Sequence, residues 1–358
     1  MLDPLVFIRD GHGWIGEGRI ERGDFAARRA YPRARQWWER LQARAVAEER
    51  GGEMVAFGTF PFDSASSSGA TLLVPERAVR IDGAAPRLGT DPLPEAAMRE
   101  GIMSPGAYEL GVAFVSAAIR RGELDKAVLA RDVLIRPEGP VDRGTLVDRL
   151  LAAHPGASVF AIDGLVGASP ETLVTVHEGL VTARVLAGTI APGLGDRLAA
   201  SAKDQHEHEL AARSVLDALA PHVEALEASG PFLLELPHLT HLATDVKGRI
   251  ADGSDVLALV EALHPTAAVA GTPTDAAMRW IHEVEPLDRG RYAGPVGWMD
   301  AAGNGEWAIA LRSAQARPDG SFHAFAGAGI MADSDPGGEL AETDLKLRPI
   351  LEALNVTR

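Results

Sequence analysis

The order of the predicted elements indicates an α+β fold, with a large two-sheet β-sandwich core and helices packed outside it. Short β-branched runs separated by glycines predict antiparallel strands in residues 158–190 and again in residues 294–330. Single helices, rather than a regular strand–helix alternation, separate the strand groups. Hairpin turns are predicted at Gly-Asn-Gly (303–305) and at Pro-Asp-Gly (318–320).

The first hundred residues are predicted to be rich in strands, with one basic helix from about Ala26 to Arg50. The apolar side of this helix is predicted to contain Trp37, Trp38, Leu41 and Val46. Residues 81–108 are dense in Gly and Pro, which is typical of a linker or of a long surface connection. We therefore expect residues 1–105 to form the N-terminal part of the same unit and residues 106–358 to form its functional region.

In the second region, a Pro at the first helical turn, polar caps and apolar periodicity predict six helices and one buried strand. The strand is predicted over residues 126–135. The helices are predicted from 105 to about 122, from the Asp142 cap to 151, and over 204–226, 254–263, 274–284 and 337–354.

The composition is that of a globular protein, with 46% hydrophobic and 24% charged residues. The net charge of −15 argues against a nucleic-acid partner, and an anionic ligand would need cations within its own site. The absence of cysteine excludes disulfides and thiolate chemistry. Because no signal peptide is evident and no stretch approaches the ~20 apolar residues of a membrane span, we expect a cytoplasmic protein without membrane contact.

Two acidic stretches lie far apart in the chain. Residues 203–207 read Lys-Asp-Gln-His-Glu, and residues 339–342 read Glu-Leu-Ala-Glu, followed by Lys346. In each stretch two carboxylates are three residues apart, which on a helix places them on one face. Four converging carboxylates require a cation between them, and oxygen ligands favour Mg²⁺ over Zn²⁺. The alternative is that both stretches are solvated helix faces.

Two residues are candidates for proton transfer. Lys126 opens an apolar strand and is a candidate general base. Glu171 follows Ser-Pro at the start of a strand and is a candidate proton donor with a raised pKa. Taken singly, each has an ordinary alternative, since a lysine can extend from a sheet edge to water and a glutamate often opens a strand.

Other residues suggest a ligand pocket. Glycines in the strand ends at 186–189 and 326–330 would allow a ligand to approach the backbone, although neither stretch matches a dinucleotide fingerprint. Arg312 and Tyr292 suit carboxylate recognition, or form an ordinary buried pair. The spacing of His206, His208 and Glu209 differs from that of a zinc-binding helix.

Together these motifs resemble the chorismate-utilising enzymes, which include isochorismate, salicylate, anthranilate and aminodeoxychorismate synthases. The resemblance runs in order from about Val112 to the C-terminus, with Gly58 to Phe62 as a structural motif of the less similar N-terminal part. The matching stretches are 126–131, 167–171, 186–189, 203–208, 241–242, 263–271, 289–298, 312–313 and 326–346.

The resemblance implies a role for each matching residue. It implies Lys126 and Glu171 as catalytic base and acid. It implies a Mg²⁺ ion bound by Glu207 and Glu342, with Asp204 and Glu339 in support and with Lys203 helping to balance the charge. The residues that it implies for chorismate binding are Gly188, Thr189, His241, Ala268, Tyr292, Arg312, Gly329 and Lys346.

Among the reactions of the family, the resemblance favours isochorismate synthase. Ala187 replaces the nucleophilic lysine of aminodeoxychorismate synthases, and Lys126 suits water rather than ammonia as nucleophile. Ala268 stands where salicylate synthases tend to have threonine, and salicylate synthase is the main alternative. A non-catalytic chorismate-binding homologue is a minor alternative.

We expect a monomer, because a water-using enzyme needs no glutaminase partner. We also expect a role in menaquinone or siderophore biosynthesis.

Overall fold

The structure is a computed structural model that describes residues 4–48, 54–190, 192–235 and 240–357, apart from the side chains of Arg19, Thr189, Lys203 and Glu207. Eight helices lie in these ranges: α1 (Ala30–Ala47), α2 (Pro105–Arg120), α3 (Arg143–Ala153), α4 (Gly195–Ala200), α5 (Ala202–Leu219), α6 (Val256–Leu263), α7 (Thr274–Val284) and α8 (Pro336–Ala353).

The same ranges contain eighteen strands, among which β6 and β10 line the site described below. The strands are β1 (Leu5–Arg9), β2 (His12–Phe25), β3 (Val55–Thr59), β4 (Ala70–Asp82), β5 (Ala96–Glu100), β6 (Lys126–Pro137), β7 (Ser158–Ile162), β8 (Leu165–Ser169), β9 (Thr172–His177), β10 (Leu180–Ile190), β11 (Val223–Ala228), β12 (Phe232–Glu235), β13 (Thr240–Ile250), β14 (Gly271–Thr272), β15 (Pro295–Asp300), β16 (Gly305–Ile309), β17 (Ser313–Ala316) and β18 (Phe322–Ile330).

The strands form antiparallel ladders, and hydrogen bonds join all eighteen described strands into one network. Strand β6 pairs with β18 along nine residue pairs, from Ala127↔Ile330 to Ile135↔Phe322. Strand β10 pairs with β13 over a similar length. Ladders also cross residue 105, since β1 pairs with β7 and β3 with β15. The α+β class predicted from the sequence is confirmed, and the N-terminal strands share the sheet network of the later ones.

The core lies between the sheet faces and the helices. The largest fully buried side chains include Trp307, Tyr108 and Phe60, and Phe60 packs against Trp307 with 5.6 Å between ring centroids. Helices α2 and α8 pack together beside β6 and β18, while α5 packs on β10. This apolar packing fixes the strand ends that line the site, since burial is the main favourable term in folding.

Two helix predictions need correction. Helix α1 begins at Ala30 because β2 extends to Phe25 and Arg29 adopts a left-handed conformation (φ 62°). Val46 is 79% exposed, because the buried face runs through Ala34, Trp38, Leu41 and Ala45, and Val46 lies one position beyond it.

The predicted helix over 204–226 ends at Leu219. Pro221 explains this early end, since proline has no backbone N–H to continue the helical hydrogen bonds and its ring crowds the carbonyl oxygen four residues earlier. Val223, which we expected on the helix, opens β11 instead and pairs with Ile250. None of the helices in the described ranges combines the length and apolar character needed to cross a bilayer.

Candidate active site

One cavity of about 300 Å³ brings together residues from distant parts of the chain. It lies where β6, β10, β13 and β18 meet the first turns of α5 and α8. Of the residues predicted from the sequence, those that line it are Lys126, Glu171, Gly188, Asp204, His241, Ala268, Tyr292, Arg312, Gly329, Glu339, Glu342 and Lys346. The other predicted site residues are Thr189, Glu207 and Lys203, whose side chains are not among those that the structure describes.

Lys126 is buried at the start of β6, where it pairs with Thr272 of β14. Its side chain runs along Gly329 of the neighbouring strand β18. A Cβ atom on Gly329 would lie 2.9 Å from the Cε atom of Lys126 and 3.4 Å from its Nζ atom. Glycine at 329 therefore leaves the space through which the amine reaches the cavity.

Glu171 lies between β8 and β9, opposite cationic side chains. Burial raises the pKa of its carboxyl from 4.5 to about 7, even though Lys126, Lys346 and Arg312 act in the opposite direction. Among the described side chains, none donates a hydrogen bond to this carboxylate. Desolvation outweighs the attraction of three cations, so Glu171 can hold a proton near neutral pH.

Arg312 and Tyr292 form another wall of the cavity. We expected Arg312 within a strand, but β16 ends at Ile309 and Arg312 lies at a bend with a left-handed backbone (φ 50°). Burial lowers the pKa of the guanidinium, which still remains charged at any physiological pH. Burial also raises the pKa of Tyr292 to about 12, and its ring stacks on Phe325 at 5.3 Å between centroids. A fixed cation and a neutral phenol suit the binding of a carboxylate.

A β-bulge shapes the wall between β10 and β13. The register shifts between Ala187 and Thr189, and Gly188 adopts a positive φ of 79° at that point. His241 forms a hydrogen bond with the backbone of Gly188. Burial, together with Arg312 and Lys346, lowers the pKa of His241 to about 4. His241 is therefore neutral at pH 7 and adds no charge to the cavity.

The acidic side of the cavity is formed by α5 and α8. Asp204 lies in the first turn of α5, which Ser201 caps, and Glu339 lies in the first turn of α8. Glu342 forms an ion pair with Lys346 at 2.6 Å, and Lys346 also donates to the carbonyl oxygen of Gly327 at 2.9 Å. Burial lowers the pKa of Lys346, and Glu342 counteracts this effect.

The carboxylates on this side of the cavity are candidate ligands of the predicted metal ion. Asp204, Glu339 and Glu342 supply carboxylate oxygens, the ligand type that Mg²⁺ prefers. Among the described side chains, no three His, Asp or Glu residues are close enough to hold an ion, and the predicted ligand Glu207 is not one of the described side chains. The donor chemistry fits Mg²⁺, and the ligand set stays a prediction.

The sequence analysis did not predict two features of the site, an ion pair and a serine. Glu285 and Arg289 form a buried ion pair at 2.5 Å, and Arg289 also donates to the carbonyl oxygens of Val128 and Val269. Glu285 accepts a hydrogen bond from the backbone of Ala130. This pair ties the Lys126 strand to the segment that contains Ala268. The four-residue spacing of the two side chains was the available signal, but it is common in exposed helices.

The second unexpected residue is Ser334, which also lines the cavity. Its hydroxyl donates to the Glu339 carboxylate at 2.6 Å and accepts from the backbone of Met331 at 3.0 Å. It fixes the orientation of one predicted metal ligand. A serine in a turn is too common for the sequence to single it out.

The comparisons with known proteins agree with this arrangement. The family model described as "Chorismate binding enzyme" matches residues 77–355. The chain is a member of the chorismate-binding enzyme family.

Relatives of this chain are named isochorismate synthases. The isochorismate synthase DhbC of Bacillus subtilis is 37% identical over 84% of this chain and 80% of its own length. A Pseudomonas aeruginosa protein named salicylate biosynthesis isochorismate synthase is 41% identical over 69% of this chain. That match spans about half of the relative, 54% of its length.

A solved structure supports the fold. The menaquinone-specific isochorismate synthase MenF from Escherichia coli superimposes with a TM-score of 0.82, covering 99% of this chain and 89% of that one, at 24% identity. At this identity the likeness establishes the fold, and the chorismate-utilising fold expected from the sequence is confirmed.

Proposed function

We propose that this protein is an isochorismate synthase, an isomerase that converts chorismate to isochorismate. The observation that supports this best is the presence of Lys126 and Glu171 in one cavity, with the pKa of Glu171 raised to about 7. An amine and a protonated carboxylic acid that line one small cavity can act as base and acid on one substrate. The names of the curated relatives support the same reaction.

Chorismate would bind through its two carboxylates. We assign the enolpyruvyl carboxylate to Arg312 and Tyr292, which provide a cation and a phenolic donor in the same wall. The ring would lie against the backbone near Gly188 and Gly329, with His241 near the ring carboxylate. Because the whole chain has a net charge of −15, cations within the cavity, such as Arg312, are needed to hold a dianion.

We further propose that Mg²⁺ is bound by Glu207 and Glu342, with Asp204 and Glu339 in support. When bound, Mg²⁺ would hold the ring carboxylate and neutralise part of the acidic wall. Ser334 would keep the carboxylate of Glu339 in position through its 2.6 Å hydrogen bond.

In the chemical step, Lys126 works after it has lost its own proton: the free amine accepts a proton from water as the water oxygen bonds to ring carbon C2. The ring double bonds shift, and the C4 hydroxyl leaves as water after Glu171 donates its proton. One water is added and one is lost, so substrate and product are isomers. Lys126 ends protonated and Glu171 ends ionised, and exchange with solvent restores both. Because the nucleophile is water, we propose a monomer without a glutaminase partner. We also propose that it acts in the cytoplasm.

Product identification tests this function. Purified protein should convert chorismate, in the presence of Mg²⁺, to isochorismate with neither salicylate nor pyruvate. Liquid chromatography resolves these products. Formation of salicylate with pyruvate would assign the chain to the salicylate synthases, and binding without turnover would indicate a non-catalytic homologue.

A metal titration tests the Mg²⁺ proposal separately. The change Glu342→Gln should raise the Mg²⁺ concentration at half-maximal activity by at least about tenfold, because a ligand charge is lost. Glu352→Gln is the matched control, since Glu352 is exposed on the same helix α8. An unchanged titration for Glu342→Gln would remove this residue from the ligand set.

A further inference from the structure

His208 lies on the inner face of α5, one turn after Asp204, and is only 2% exposed. Its Nδ1 atom is 3.2 Å from the carbonyl oxygen of Ala187 in β10. Its Nε2 atom is 2.7 Å from the hydroxyl oxygen of Thr244 in β13. One imidazole therefore joins the helix to both strands of the ladder that forms the bulged cavity wall.

The contact with Ala187 shows that Nδ1 carries a proton. A carbonyl oxygen can only accept a hydrogen bond, so Nδ1 must carry a hydrogen and donate it to Ala187. The Thr244 hydroxyl can donate to an unprotonated Nε2 or accept from a protonated one, so this contact is compatible with a proton on Nδ1. Both contacts are satisfied when the ring has its proton on Nδ1.

The location of these contacts gives them a functional consequence. Ala187 directly precedes Gly188, the bulge residue that lines the cavity. Asp204 lies against the same bulge, since a Cβ atom on Gly188 would be 3.4 Å from the Cβ atom of Asp204. A shift of α5 relative to β10 would thus move the acidic turn and the substrate wall apart.

We propose that His208 is a positioning residue, which holds the first turn of α5 against the Gly188 bulge through its Nδ1–H donor. It aligns the acidic wall with the wall that faces the substrate ring. The inference rests on the proposed function in so far as that function assigns these walls to Mg²⁺ and chorismate.

A pair of substitutions tests the role of the Nδ1–H donor. In His208→Asn the side-chain amide nitrogen occupies nearly the place of Nδ1 and can donate to Ala187. In His208→Gln the amide reaches instead toward Thr244, so the donor to Ala187 is lost. His206→Asn is the control, because His206 is exposed on the same helix.

We expect His208→Gln to raise the KM for chorismate and the half-saturating Mg²⁺ concentration, each by about tenfold or more, as for residues that orient ligands. His208→Asn should keep both within about threefold of the wild type, in the range of a weakened contact. His206→Asn should match the wild type. If His208→Gln lowers only the melting temperature and leaves KM and the Mg²⁺ titration unchanged, His208 is merely a buried core residue. Equal impairment of the Asn and Gln variants would also overturn the proposal.

A spectroscopic measurement separates this inference from the proposed function. Long-range ¹H–¹⁵N correlation on histidine-labelled protein, assigned with His208→Asn, reports which ring nitrogen is protonated. We expect the proton on Nδ1, and a proton on Nε2 alone would contradict the role of His208. This NMR measurement does not depend on turnover. Failure of the wild type to convert chorismate would therefore count against the proposed function alone.

Discussion

Glu171 and Glu285 are both glutamates in enclosed surroundings, yet these surroundings give them opposite roles. Glu285 accepts two hydrogen bonds from Arg289 and one from the backbone of Ala130, and these bonds hold its carboxylate in one position. Glu171 faces cations without any described side chain donating to its carboxylate, and its pKa rises to about 7. A glutamate with close donors holds the structure together, whereas one enclosed without them can transfer a proton.

The largest effect is expected from removing the base that acts opposite Glu171. Lys126→Ala should lower kcat by about 10²–10⁴-fold, the usual contribution of general base catalysis, while chorismate still binds with Mg²⁺. Steady-state kinetics together with calorimetric binding of chorismate would measure both. Full activity in this variant would refute the base assignment.

Removing the acid should have a similar or slightly smaller effect. Glu171→Gln cannot donate a proton to the leaving hydroxyl, so kcat should fall by about 10²–10⁴-fold. In the wild type, the dependence of kcat on pH should bend downward near pH 7, because the protonated fraction of Glu171 falls there. A pH–rate profile of the wild type measures this bend, and a rate that rises with constant slope from pH 6 to 8 would contradict the assignment.

The same substitution at the two glutamates should change stability in opposite directions. Glu285→Gln leaves Arg289 buried without its anion and should lower the free energy of unfolding by about 3–5 kcal/mol. The folded pKa of Glu171 lies above its unfolded value of 4.5, so its contribution to stability is lost as pH rises through about 7.

Glu171→Gln should therefore raise the free energy of unfolding at pH 8, on the order of 1 kcal/mol, and have little effect at pH 4. Denaturant unfolding at both pH values measures this difference. Destabilisation of similar size by both substitutions at pH 8 would show that the two glutamates are structurally equivalent.

A smaller effect is expected from filling the space beside Lys126 with a methyl group. In Gly329→Ala the new methyl group would meet the Cε atom of Lys126 at 2.9 Å and displace the amine, lowering kcat by about tenfold, as when a reacting group is misplaced. Gly106→Ala is the matched control, because a Cβ atom there meets no atom within 4 Å. Equal kcat in the two variants would mean that the lysine adapts without loss.

The sequence predicts much of this site because its motifs occupy strand ends and first helical turns, which follow from local patterns. Lys126 opens a strand and Glu339 begins a helix, as periodicity and capping indicate. The left-handed backbone of Arg312 could not be predicted, since nothing local marks a non-glycine residue for that conformation. The partners of Glu285 and His208 depend on contacts between distant segments, so their roles also needed the fold.

The most direct test of the mechanism is turnover in H₂¹⁸O followed by mass spectrometry of the product. If Lys126 activates water and Glu171 expels the C4 hydroxyl, every isochorismate molecule should contain one labelled oxygen, located at C2. Isochorismate that forms without the label would mean that the substrate hydroxyl is transferred directly between carbons, which would contradict the separate base and acid roles of these two residues.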